Sequence, residues 1–147
     1  MQHSIVALVL VASLANPVWA DQRQAGFRVG ATVPVRVTLE VVEQPAQLML
    51  TEDDIARGYK DVSARYRVSC NDRGGYVLRI APRSGIAQYV EIYGLGANVV
   101  LRDTAIEIAQ PRAAFVQNFT LEFRLVLSPS TAPGTVALPV QLAAAPI

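Results

Sequence analysis

Phe27-Arg28-Val29-Gly30-Ala31-Thr32-Val33-Pro34-Val35-Arg36-Val37-Thr38-Leu39-Glu40-Val41 alternates at every position. The odd residues are apolar. The even residues are polar, small or proline. A β-strand sends successive side chains to opposite faces, so this pattern has one dry face and one wet face. With Val42 added, the run is far longer than the usual strand of about 5–6 residues. It predicts either a long first strand, residues 27–42, that changes sheet near Pro34, or a strand offered to something outside the domain.

The residues before it bear on compartment. An apolar run, Ile5-Val6-Ala7-Leu8-Val9-Leu10-Val11-Ala12, is broken by Asn16 and Pro17 and followed by Val18-Trp19-Ala20. That is the layout of a secretory signal peptide cut after Ala20. The run is too short for the ~20 apolar residues of a membrane span. The reading is therefore residues 1–20 as a cleaved signal and 21–147 as one exported domain, without a membrane span, in the periplasm or on the cell surface of a bacterium.

Composition narrows the chemistry. The chain of 147 residues has a formal charge of +1, one lysine (Lys60), one cysteine (Cys70), and one histidine and one tryptophan, His3 and Trp19, both inside the signal. So weak a charge invites neither nucleic acid nor an anionic surface. One cysteine makes no internal disulfide. Cys70 is in phase with Val62, Ala64, Tyr66 and Val68, which places it on an apolar face as a small hydrophobe. Without a histidine base, neither Cys70 nor any serine of the exported chain matches a hydrolytic nucleophile. No catalytic residue, cofactor or metal site is expected. Glu52, Asp53, Asp54 and Asp72 lack the alternating spacing of a calcium loop, so Thr51-Glu52-Asp53-Asp54 reads as a helix start with acids at the positive end of the dipole. Acid pairs such as Glu91 and Glu107 are what a glycosidase reading could use; charges on wet strand faces are the simpler account.

Past the helix, which Gly58 ends, strand follows strand. Residues 62–70 alternate, a turn composition follows at 71–75, and Tyr76, Leu78 and Ile80 resume, which reads as a hairpin. Shorter strands are predicted at 89–93, 99–101 and 104–109. Phe119, Leu121, Phe123, Leu125 and Leu127 mark a core strand. Val136, Leu138, Val140 and Leu142 form the core face of the last one, with Pro139 demanding an edge or a bulge. The fold expected is all-β: an antiparallel β-sandwich of about seven to nine strands with one short helix.

The alternating N-terminal run and the closing stretch Pro133-Gly134-Thr135-Val136-Ala137-Leu138-Pro139-Val140-Gln141-Leu142 together resemble chaperone–usher pilus subunits, especially the archaic and spore-coat-U-like branches. Those subunits often carry a cysteine pair and end in an aromatic residue; this chain has Cys70 alone and ends Ala143-Ala144-Ala145-Pro146-Ile147. The resemblance implies an incomplete immunoglobulin-like sandwich completed by a neighbour's strand. Its partners would be neighbouring subunits, a periplasmic chaperone and an outer-membrane usher. The donor residues would be Phe27, Val29, Ala31, Val33 and Val35. Two other readings stay open: a complete exported binding module acting through loops 83–88 and 128–134, and, least favoured, an enzyme. N-terminal sequencing of exported protein should start at Asp21; material retaining residues 1–20 in the cytosol would contradict the export reading.

Overall fold

The structure, a computed structural model, describes residues 30–83 and 85–147. The signal segment, Phe27, Val29 and Ser84 lie outside the described residues. Ten strands and one helix follow in order: β1 Val37–Glu43, β2 Leu48–Leu50, α1 Glu52–Arg57, β3 Tyr59–Cys70, β4 Tyr76–Pro82, β5 Ala87–Tyr93, β6 Val99–Leu101, β7 Ile106–Gln110, β8 Val116–Leu127, β9 Gly134–Val136 and β10 Val140–Pro146. They form a five-stranded sheet ordered β1-β3-β8-β5-β6, a three-stranded sheet ordered β10-β4-β7, and a two-stranded pair, β2-β9. Every pairing is antiparallel. The all-β, sandwich-like class and the single short helix agree with the alternation read from the sequence.

The central ladder joins β3 to β8, from Tyr59↔Val126 to Ser69↔Val116. Directly opposed residues share a face. The rows Val62–Phe123, Ala64–Leu121 and Tyr66–Phe119 therefore all point inward. The Tyr66 and Phe119 rings stack at 5.7 Å. Tyr66 donates its hydroxyl to Gln44 Oε1 at 3.0 Å, which satisfies the one polar atom that this ring brings into the core. Burial pushes the Tyr66 phenol up to about 12. Tyr76, Leu78, Ile80 and Val140 come in from the three-stranded sheet, and Leu48, Leu50 and Leu138 join them in the core.

Helix α1 forms as its sequence predicts. The Thr51 side chain accepts from the Asp54 N–H, and the Asp54 carboxylate reaches back to the Thr51 N–H, a reciprocal cap. Gly58 ends the helix in the left-handed region, φ 80°, where a side chain would be strained.

Three expectations are corrected. First, β3 and β4 are not a hairpin. β3 already has β1 and β8 on its two edges, so the chain at 71–75 crosses to the other sheet, where β4 pairs with β7 and β10. Gly75 makes that crossing possible. Its φ is 101° and a Cβ there would collide with the Gln110 carbonyl. Turn composition marks a reversal but does not say whether the flanking strands pair. Second, the last strand is two. Val136, Leu138, Val140 and Leu142 do face inward, with Leu138 and Val140 buried and the other two half-buried. The ladder breaks at 137–139, because Pro139 has no N–H to donate. β9 pairs with β2 and β10 with β4, and the buried Pro139 offers its carbonyl to the Arg83 N–H at 2.8 Å. Residues 143–146, past the predicted core face, extend β10 through Pro146. Third, the long first strand is short: β1 begins at Val37, and described residues 30–36 are neither helix nor strand.

Phe123 is 1% exposed, whereas Glu122 lies on the outer face. Phe123→Ala should therefore cost about 3–5 kcal/mol in denaturant unfolding. Glu122→Ala should stay within about 0.5 kcal/mol of wild type. Equal losses would mean that the two faces of β8 are assigned the wrong way round.

Candidate functional site

The side of the molecule where the two larger sheets end holds the features that the sequence pointed to. β1 is one edge of the five-stranded sheet and β10 is one edge of the three-stranded sheet. Their Cα atoms come within 8 Å of each other, yet no ladder joins them. Each strand thus has one unpaired edge among the described residues.

The side chains along this seam are apolar and only partly covered. Val37 and Leu39 on β1, and Leu142 and Ala144 on β10, pack against the core but remain half-buried. Val41 is more telling. It stands opposite Tyr66, and so on the core-facing side of the sheet, yet it is 59% exposed. The register shifts between Val41 and Glu43, a bulge that adds Val42, itself 49% exposed. A valine aimed at the core side and left in water marks a seam that the described residues leave uncovered.

The N-terminal segment leads into β1, one edge of this seam. Of the five donor candidates, Ala31, Val33 and Val35 are described. All three are exposed, Val33 at 76% and Val35 at 52%. Asn71 holds the segment where it joins β1. Its Nδ2 donates to the Pro34 carbonyl at 2.8 Å, its Oδ1 accepts from the Arg36 N–H at 2.6 Å, and its own N–H donates to the Arg36 carbonyl at 3.2 Å.

The acidic candidates separate. Glu52 and Asp53 are exposed on α1, and Asp72 accepts from the Gly74 N–H at 2.9 Å. Glu91 on β5 and Glu107 on β7 belong to different sheets, and Glu91 accepts from the Tyr93 hydroxyl at 2.7 Å. Among the described residues, no three His, Cys, Asp or Glu side chains gather as a metal ion would need. Asp54 is a structural hub that the sequence reading gave only a capping role. It is 1% exposed, and it accepts from Lys60 at 2.8 Å, from the Thr51 N–H and hydroxyl, and from Arg57. The Lys60 ammonium, chiefly, and the Thr51 and Arg57 donors hold its carboxyl well below the ordinary 3.8, against the opposing effect of burial. Periodicity could not reveal this, because Lys60 reaches Asp54 only after the chain turns at Gly58.

Cys70 is free and buried, with carbonyls of Asp72 and Gly75 at 3.5 and 3.4 Å from its Sγ. The stretches predicted as loops 83–88 and 128–134 are shorter, since Ala87 opens β5 and Gly134 opens β9, and they come together at the opposite end from Asn71, where the Ser128 N–H and the Thr131 hydroxyl both donate to the Ile86 carbonyl. The first of these loops borders an open cavity of about 310 Å³, where the Arg102 guanidinium lies 4.9 Å from the centre of the Tyr89 ring. No helix among the described residues is long and apolar enough to cross a membrane. No protein-family model and no curated protein matches this chain.

The Asp54 hub sets a pH dependence. A carboxyl held low in the folded state adds stability above its unfolded value, and that stability is lost as pH falls toward the folded value. Asp54→Asn should lower the unfolding midpoint most above about pH 5. The gap between wild type and variant should narrow steadily as the pH falls below about 4. A gap independent of pH would mean that the ionised carboxylate is not what stabilises this corner.

Proposed function

We propose that this chain is an exported structural subunit, or minor component, of a bacterial surface fibre, joined to its neighbours by β-strand donation. The observation that carries this reading is Val41, aimed at the core side yet exposed, on a seam between two edge strands that share no ladder. The same chain carries a segment suited to such a seam. Residues 27–35 alternate apolar and polar, and the described part of them lies exposed outside any sheet.

A donated strand fills two needs together. Its backbone pairs with an edge, and its alternate side chains enter the apolar groove. Fully burying a valine contributes about 1.5–3 kcal/mol. Val29, Val33 and Val35 of a neighbour, with Phe27, would set that gain against the cost of ordering the segment. Pro34 and the β-branched valines reduce that cost, because they already restrict the chain to extended conformations. Neighbouring subunits are the partners on this reading. A periplasmic chaperone and an outer-membrane usher would be its further partners.

A second reading has its own observation. The connections ahead of β5 and ahead of β9 are joined at Ile86, and the first borders an open cavity, an arrangement that suits an exported binding module with a complete fold.

Domain lacking residues 21–35 should fold with a chaperone, fail to polymerise, and bind a synthetic peptide of residues 27–35. Val29→Asp or Val33→Asp in the peptide should abolish binding, since an unpaired charge enters an apolar groove. Arg28→Ala should matter little. A full-length protein that sediments as a stable monomer, with residues 27–35 protected from hydrogen exchange in isolation, would favour the binding module instead.

A further inference from the structure

We propose that Asn71 is a positioning residue that sets where, and in which direction, the N-terminal segment leaves the domain. The last ladder pair between β1 and β3 is Val37↔Cys70. Beyond it the backbone of β3 turns away toward the other sheet. The next residues of the N-terminal segment have therefore lost their partner strand. The Asn71 side chain takes its place.

A neighbouring antiparallel strand presents one donor and one acceptor to groups two residues apart along an edge. The Asn71 amide does this with a side chain. Nδ2 donates to the Pro34 carbonyl and Oδ1 accepts from the Arg36 N–H, while the main-chain N–H of Asn71 donates to the Arg36 carbonyl. The Asn71 carbonyl in turn accepts from Arg112 Nη1 at 3.4 Å, which ties loop 111–115 to the same point. Every polar group of Asn71 is thus engaged.

The chemistry is particular to asparagine. Aspartate keeps the acceptor for Arg36 but sets a carboxylate oxygen against the Pro34 carbonyl. Glutamine offers both groups one methylene too far out. Serine and alanine cannot span the two sites. Pro34 completes the device. It has no N–H to satisfy, so pairing stops there, and residues 30–33 make no hydrogen bond to any other described residue. The bonds from Asn71 thus reach as far as Pro34 and no farther among the described residues.

The latch stands on these bonds alone. Its aiming role rests on the strand-donation reading. The test uses full-length exported protein, comparing wild type with Asn71→Ala and Asn71→Asp. In Asn71→Ala the Arg36 amide should exchange about fivefold faster or more, relative to the Tyr66 and Phe123 amides. Trypsin should cut after Arg36 sooner. Asn71→Asp, which retains the acceptor, should fall between the two and keeps the test valid if the alanine variant does not fold. Polymer assembly should slow in the order wild type, Asp, Ala. If Arg36 exchange rises no more than that of Tyr66 and Phe123, Asn71 is a turn residue only and the proposal is overturned. If Arg36 is released but assembly keeps the wild-type rate, the aiming role is overturned. If wild type itself does not assemble, strand donation fails, and the exchange rates still decide whether Asn71 holds the segment.

Discussion

A β-ladder needs a second strand, and β3 stops supplying one at Cys70. Most of what distinguishes this domain follows from that point. β3 already has β1 on one edge and β8 on the other. After Cys70 the chain crosses to begin β4 in the opposite sheet, a step that Gly75 permits. The residues ahead of Val37 carry the same alternation as β1 and could pair equally well. Described residues 30–36 form no strand, because β3 has turned away and only Asn71, through its side chain and its main-chain N–H, bonds to them. The length of β1 is set by its partner and not by its own pattern.

The core can tolerate this because its weight lies elsewhere. The β3–β8 ladder runs nearly the full length of both strands, and small and large residues interdigitate along it, Ala64 beside Leu121 and Val62 beside Phe123. Close packing of this kind is the main source of stability in a domain without a disulfide. Cys70 takes part as a small buried residue near the end of that ladder. At the other end, Asp54 joins α1 to β3 through Lys60, so the one fully buried carboxylate among the described residues is also fully partnered. That is the condition under which a buried charge supports a fold.

The outer face and the seam follow different rules. On the outer face of the five-stranded sheet, Arg67 pairs with Glu40, Arg65 with Glu43 and Arg124 with Asp61. Arg124 also lies 4.6 Å from the centre of the Tyr59 ring. Exposed pairs of this kind add little stability, but they keep a broad sheet surface charged and mixed in sign. The seam between β1 and β10 has no such cover: its side chains are Leu39, Val41, Leu142 and Ala144. Open apolar edges invite pairing with another chain, and one left uncovered among the described residues either serves a partner or invites aggregation. The fibre-subunit proposal takes the first alternative.

Much of this was legible in the residues themselves. Alternation located nearly every strand, the Thr51 cap and Gly58 bounded the helix, and the inward faces of β3, β8 and the last strands were correct position by position. These are local properties: side-chain period, capping chemistry and the missing N–H of Pro139 act within a few residues. Pairing is not local. That residues 71–75 cross between sheets, that β9 and β10 belong to different ladders, that Lys60 completes Asp54, and that Asn71 substitutes for a strand beside Pro34 and Arg36 all depend on which segments come together in space. The sequence alone determined which residues face the core. Only the tertiary structure decided which edges are left unpaired, because an edge is open or closed according to what lies beside it.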